Sequence, residues 1–167
     1  MNRREFLKGT SAITVGAACL PFLKVMPVQA NETLVVVMGS TINSLDIHRS
    51  GTNRPSYQIA VNCYDRLMTF GSKTLPDGSL SYDYDNLQGE LVESWEVSED
   101  GRTLTFTLRE ATFWDGRPVT AEDVKWSFDR AITLGGFPAT QMAAGSMRSP
   151  EQFEAVDART FRIHLPH

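Results

Sequence analysis

The sequence predicts an α/β fold, a mixed sheet with flanking helices and hairpins, on three observations. Residues 33–38 (TLVVVM) form a short β-branched apolar run bounded by Gly39 and Ser40, which reads as a strand buried on both faces of a parallel or mixed sheet. Residues 90–109 alternate apolar and polar side chains on either side of a Ser98-Glu99-Asp100-Gly101 turn, the pattern of a β-hairpin with one dry face. Thr120 and Asp123 then carry the hydroxyl-x-x-acid spacing in which the hydroxyl caps the third backbone N–H of a helix. With 167 residues, 41% hydrophobic and 22% charged, the chain has room for one globular domain or part of a larger one, and its composition argues against disorder and collagen-like repeats.

The first thirty residues read as an address and not as part of the fold. A basic start (MNRREFLK) precedes a weakly apolar run at 9–23, and Val28-Gln29-Ala30 offers the small residues a signal peptidase requires, with cleavage between Ala30 and Asn31. The run is too short and too rich in Gly, Ser and Thr for a spanning helix, so a permanent anchor is disfavoured. Arg3 and Arg4, followed by Phe6, Leu7 and Lys8, resemble the twin-arginine export signal. A general secretory signal is the alternative; the low hydrophobicity of the run and Lys24 favour the twin-arginine route. A lipoprotein reading through Cys19 lacks the large aliphatic residue expected three positions earlier. The domain plan is therefore a signal peptide at 1–30 and a body at 31–167, exported to the periplasm.

Along the body, residues 39–54 are polar and lead to Pro55-Ser56, where a helix over 56–68 starts. Its stripe is Tyr57, Val61, Tyr64 and Met68. Cys63 shares a face with Ile59 and Leu67 on that helix and reads as a buried, inert thiol. Residues 72–88, with Pro76-Asp77-Gly78, read as a long surface loop; Asp83 and Asp85 lack the glycine and distal glutamate of a calcium loop. In the hairpin at 90–109, Trp95 and Val97 alternate with polar residues, and Leu104, Phe106 and Leu108 alternate with Thr103, Thr105 and Thr107. A helix over 121–132 follows, with Val124, Phe128 and Ala131 inward and Lys125 paired to Asp129. The run Leu134-Gly135-Gly136-Phe137-Pro138 ends it, the stretch to Pro150 reads as loop, and 153–156 with 160–165 make a second hairpin about residues 157–159.

Charge and residue counts narrow the chemistry. Sixteen Lys plus Arg against twenty Asp plus Glu, and a pI near 5.4, provide no basic field for nucleic acid. Removing Arg3, Arg4, Lys8, Lys24 and Glu5 with the signal leaves 12 basic and 19 acidic residues, a net charge of −7. Two cysteines, Cys19 and Cys63, and three histidines, His48, His164 and His167, show no metal-ligand spacing, so no metal and no cofactor is expected.

The ordered string Leu91-Val92-Glu93-Ser94-Trp95-Glu96-Val97, Asp100-Gly101, residues 103–109 (TLTFTLR) and residues 113–124 (FWDGRPVTAEDV) closely resembles the family 5 extracellular solute-binding proteins, the peptide, dipeptide and nickel receptors of ABC importers. Leu45-Asp46 is similar to that family's landmark after the first strand, with Ser44 and Ile47 standing where proline is frequent. The resemblance implies a periplasmic-binding-protein type II-like α/β fold of which this chain supplies only a partial first lobe, as a truncated product or a fragmentary gene model would. It implies no enzyme, but a receptor that captures a peptide or similar solute and delivers it to ABC importer permease subunits. The Arg3-Arg4 motif adds the twin-arginine export machinery as an expected partner, and the receptor is expected to be monomeric. The ligand stays open among peptides, nickel chelates, glutathione and oligosaccharides. First-lobe ligand contacts are expected from Gly39, Ser40, Thr41 and Asn43 after the first strand and from Phe137, Thr140 and Gln141 after the capped helix. Trp95, Trp114 and Trp126 could suggest a sugar-stacking platform, but their placement in a hairpin, a turn and a helix predicts packing for at least two of them. The alternatives are a non-functional truncated remnant and an exported hydrolase; the second lacks a Gly-x-Ser-x-Gly elbow.

Overall fold

The computed structural model describes Val35 and residues 37–166. The architecture below belongs to the compact unit Val37–His167. In order, it holds α1 (Arg54–Cys63), β1 (Met68–Thr74), β2 (Leu80–Gly89), β3 (Val92–Val97), β4 (Thr103–Leu108), α2 (Ala121–Leu134), α3 (Phe137–Ala144), a 3₁₀ turn (Pro150–Gln152), β5 (Phe153–Ala155) and β6 (Thr160–His164). Two sheets result: a β1-β2 ribbon and a four-stranded sheet in the order β3-β4-β6-β5. Every pairing between named strands is antiparallel. The mixed sheet expected from sequence depended on residues 33–38. Of these, 33, 34 and 36 lie outside the described residues, while Val37 and Met38 lie in no strand and Val37 is 90% exposed.

The four-stranded sheet follows directly from its alternation. Trp95 stands opposite Phe106, and Phe106 opposite Phe161; Val97, Leu104 and Ile163 form the next row two residues on. Side chains at period two share a face, so this face is apolar and the other carries Ser94, Thr105, Thr107, Arg162 and Glu154. The apolar face is covered by α2, which packs mainly on β5 and β6. Val92, Phe106, Leu108, Ala121, Val124, Phe153, Phe161 and Ile163 make one buried cluster, with Phe128 partly buried against it. The capping box forms as its spacing predicts: the Asp123 carboxylate accepts the Thr120 N–H at 2.8 Å and the Thr120 hydroxyl at 2.7 Å. Lys125 pairs with Asp129 one turn on. Gly135 closes α2 at φ 67°, a left-handed conformation that only glycine adopts without cost.

Elsewhere the expectations need correction. The helix expected over 56–68 is shorter and earlier: Asn53 caps it, its side chain accepting the Ser56 N–H at 3.1 Å, and it ends at Cys63. Met68 belongs to β1 and Val61 is exposed, so the anticipated stripe is not the buried face; Pro55, Ser56 and Ala60 are. Because the helix stops there, Leu67 is off it and Cys63 is exposed. The loop expected at 72–88 is instead the far part of the ribbon. Its turn is fixed by the Asp77 carboxylate accepting the Ser79 N–H and hydroxyl, and Lys73 pairs with Asp83 across the strands. Residues 137–144, expected as loop, form α3, which starts with Pro138 in its first turn where a missing N–H costs nothing. All three tryptophans are exposed. Trp114 is at a turn tip, Trp126 lies on the outer side of α2 under Arg130, and Trp95 is on the apolar face where the sheet reaches past the helix.

Candidate functional site

Two segments carry the expected ligand contacts, and the fold brings their surroundings together. The first is residues 39–53. Its polar side chains are tied around Ser56, whose hydroxyl lies 2.7 Å from Asn53 Oδ1, 3.2 Å from Asn43 Oδ1 and 3.1 Å from the Asn43 N–H that it accepts. Asn43 also donates to the Gly51 carbonyl at 2.9 Å, and its Oδ1 accepts the Asn53 N–H at 3.0 Å. Asn53 reaches back to the Thr41 carbonyl at 2.8 Å. Ser56 is buried, and these bonds satisfy the polar group that burial would otherwise penalise.

The second segment is the α2–α3 junction. Arg130 of α2 grips the Asp46 carboxylate with both terminal nitrogens at 2.7 Å. That two-pronged contact holds the Asp46 carboxyl down at about 2, the His48 N–H adding to the effect. The imidazole of His48, partly buried beside Arg130, is pushed below its ordinary value by that burial and then by the guanidinium charge. Gly136 meets the same loop: a Cβ there would stand 2.8 Å from the His48 carbonyl oxygen. One residue on, the Phe137 ring lies 5.4 Å from that of Tyr57, whose hydroxyl donates to the Ile47 carbonyl at 3.1 Å.

Of the expected contacts, Gly39, Ser40 and Thr41 are exposed on the loop, and Phe137, Thr140 and Gln141 are exposed on α3, Phe137 by 57%. Asn43 differs from them: its amide is consumed in holding the loop. Arg3, Arg4, Phe6, Leu7, Lys8, Ala30 and Asn31 lie outside the described residues. Sequence reasoning missed Ser56, Gly136 and the Asp46–Arg130 pair. Asn53, three residues before Ser56 and followed by a proline in the first turn, was a legible cap signal; nothing in the sequence pairs residues 84 positions apart.

One open depression lies elsewhere, lined by Glu93, Arg109, Glu110 and Arg159. Its arginines are spent on the frame: Arg109 donates to the Gly89 and Val92 carbonyls, and Arg159 bridges Glu93 at 2.8 Å and the Leu108 carbonyl at 2.8 Å.

Comparison with known proteins bears on what this geometry serves. Residues 86–167 match the family described as bacterial extracellular solute-binding proteins, family 5 Middle. The chain belongs to the family 5 extracellular solute-binding proteins. This family 5 chain is 42% identical over 86 residues to the protein named "Probable D,D-dipeptide-binding periplasmic protein" of Escherichia coli K12, covering 51% of this chain and 14% of that one. It is 30% identical over 137 residues to the dipeptide-binding protein of the same organism, covering 76% of this chain and 23% of that one. Among solved structures, the murein tripeptide-binding protein of Escherichia coli superposes with a TM-score of 0.55 at 26% identity, over 75% of this chain and 25% of that one. The binding protein MoaA of A. tumefaciens R10, solved with mannopinic acid, gives 0.53 at 30% identity over 75% and 24%. The family 5 chain thus has part of a type II periplasmic-binding-protein fold, and it spans about a quarter or less of the length of the proteins it matches.

Proposed function

We propose that this family 5 chain serves in the substrate-binding component of an ABC importer, capturing a peptide or similar solute in the periplasm and passing it to the permease. The observation that carries the reading is the 42% identity, over 86 residues, to a relative named for D,D-dipeptides, supported by the longer match to a dipeptide-binding protein. In this reading Gly39, Ser40 and Thr41 offer backbone and hydroxyl groups to the solute, and Phe137, Thr140 and Gln141 face it from α3, while Asn43 holds the loop. A short exposed loop braced by a rigid scaffold is the ordinary way a fold presents such groups. The component acts without catalysis or cofactor and as a monomer. Residues 1–30 direct it through the twin-arginine route and are cleaved after Ala30.

A graft tests the reading. Residues 37–166 replace the aligned segment of the Escherichia coli dipeptide-binding protein, and calorimetry follows dipeptides, tripeptides and non-peptide solutes. Saturable peptide binding, weakened about tenfold by Thr140→Ala with Gln141→Ala, is the expected result. A folded graft that binds no peptide overturns it. For the address, Arg3→Lys with Arg4→Lys should abolish export of a reporter fused to residues 1–30; export that persists assigns the general secretory route.

A further inference from the structure

The loop at 39–53 and α1 form a module that hangs on the rest of the fold by few contacts. Among the described residues, α1 has no extensive packing against another helix or strand, and it buries only Pro55, Ser56 and Ala60. The contacts that join the module to the α2–α3 junction include the Asp46–Arg130 pair, the seat of the His48 carbonyl on Gly136, and the Tyr57–Phe137 ring contact. Of these, only the first is charged and two-pronged.

Asp46 is also the centre of the module's own turn. Its carbonyl accepts the Thr52 hydroxyl at 2.9 Å and the Arg49 N–H at 3.2 Å, its N–H donates to the Ser44 hydroxyl at 3.0 Å, and its Oδ1 accepts the His48 N–H at 3.2 Å. A pull on the carboxylate therefore moves the whole turn. On the other side, Arg130 lies over the Trp126 ring at 5.7 Å, which restrains the guanidinium from its far face. It sits one turn before Leu134, so its position is rigidly linked to Gly136 and Phe137.

We infer that Asp46 and Arg130 are positioning residues: their ion pair sets the distance between the loop at 39–43 and the face of α3, and so the width of the gap between the two groups of ligand contacts. That the gap receives a ligand rests on the function proposed above; the coupling of the two segments does not. The ion pair acts as the registration pin, and the Gly136 seat and the ring contact follow it.

Amide hydrogen exchange on the full chain, read separately for residues 41–53, for residues 137–144 and for β4 and β6, tests the inference without a ligand. Asp46→Asn and Arg130→Gln should each raise exchange about fivefold in the first two segments, the upper range for a partly exposed pair, and leave β4 and β6 unchanged. The double variant should be no worse than either single one, and Arg130→Lys, which keeps the charge and loses the fork, should restore part of the protection. Additive single effects, opening of the loop with α3 unmoved, or parallel opening of β4 would each overturn the inference. Should a variant fail to fold, the wild-type chain supplies the same readout. Raising the ionic strength to about 1 M shortens the screening length to about 3 Å, so exchange should rise in the two coupled segments alone. No salt response there overturns the inference equally. In the graft, a chain that exchanges as expected yet binds no peptide refutes the ligand reading alone.

Discussion

Around Phe161, the rings of Phe106, Phe128 and Phe153 stand with centroids 5.2 to 6.3 Å away, and no part of the side chain reaches solvent. Around Asp46 the neighbours are a guanidinium, a hydroxyl and backbone N–H groups, and the carboxylate is 40% exposed. The two regions belong to one compact unit but are held by different physics. Burial of apolar area is non-directional and large, whereas each polar contact adds little net free energy and demands a fixed geometry. The sheet with α2 therefore provides the stability. The loop–α1 module adds little of it, which leaves that module free to be placed by a few specific contacts.

The sharpest way to break this contrast is to empty the core. Phe161→Ala should cost about 3–5 kcal/mol in urea denaturation, the range for a large aromatic removed from a packed site. Tyr84→Ala, on the ribbon and 69% exposed, should stay within about 0.5 kcal/mol. Comparable losses at the two positions would mean that the ribbon's Phe70–Tyr84 edge contact, at 5.1 Å, is part of the structural core.

Gly136→Ala comes next, because it strikes the seam between the two regions. Its φ of −74° suits any residue, so the effect is steric: a methyl 2.8 Å from the His48 carbonyl must push the loop or α3 aside. Overpacking of this kind costs about 1–3 kcal/mol. Amide exchange should show the disturbance in residues 46–52 and in α3 while β4 stays protected. Disturbance spreading into the sheet would show that module and body are one cooperative unit.

The same contrast explains how much was legible in the sequence. The hairpin at 90–109, the capped helix and the second hairpin each carry a burial pattern of period 2 or 3.6, and each forms within two residues of its expected bounds. The ribbon was missed because its strands bury almost nothing: Leu80, Tyr82 and Tyr84 alternate with polar residues but face solvent, so the polar composition outweighed the alternation. Residues 137–144 were missed for a related reason. α3 buries no residue fully, and its signals were a proline at the start and an alanine-rich run ending in Gly145. At the candidate site, the exposed loop and the position after α2 were readable as segments. The Asp46–Arg130 contact was not, since a tertiary ion pair leaves no periodicity in either partner's neighbourhood.

A smaller effect sharpens the account of α2 itself. Asp123→Ala removes the acceptor of both the Thr120 N–H and its hydroxyl and should destabilise the chain by about 1 kcal/mol, read by denaturation. The loss should appear equally in the core and in the module, because α2 carries Arg130 as well as Val124.

The smallest expected effect is on pH, and it separates the two regions most cleanly because the buried apolar core contains no titratable group. The Asp46 carboxyl lies at about 2 in the folded chain against an ordinary 3.8, so its ionised form is favoured by folding. Its contribution is complete above about pH 3.8 and is lost as the pH falls from there through about 2. His48 is likewise lowered, from an ordinary 6.5, and its neutral form is the one the fold favours. Its contribution is present above pH 6.5 and is lost on acidification through the lowered value. Mild acid should therefore loosen the module first at His48 and strong acid again at Asp46. Ring resonances of Tyr57 and Phe137 should report both steps. His48→Gln removes the first step and Arg130→Gln the second. A second step that survives in Arg130→Gln would assign it to another carboxylate and remove the ion pair from the account of how the module is held.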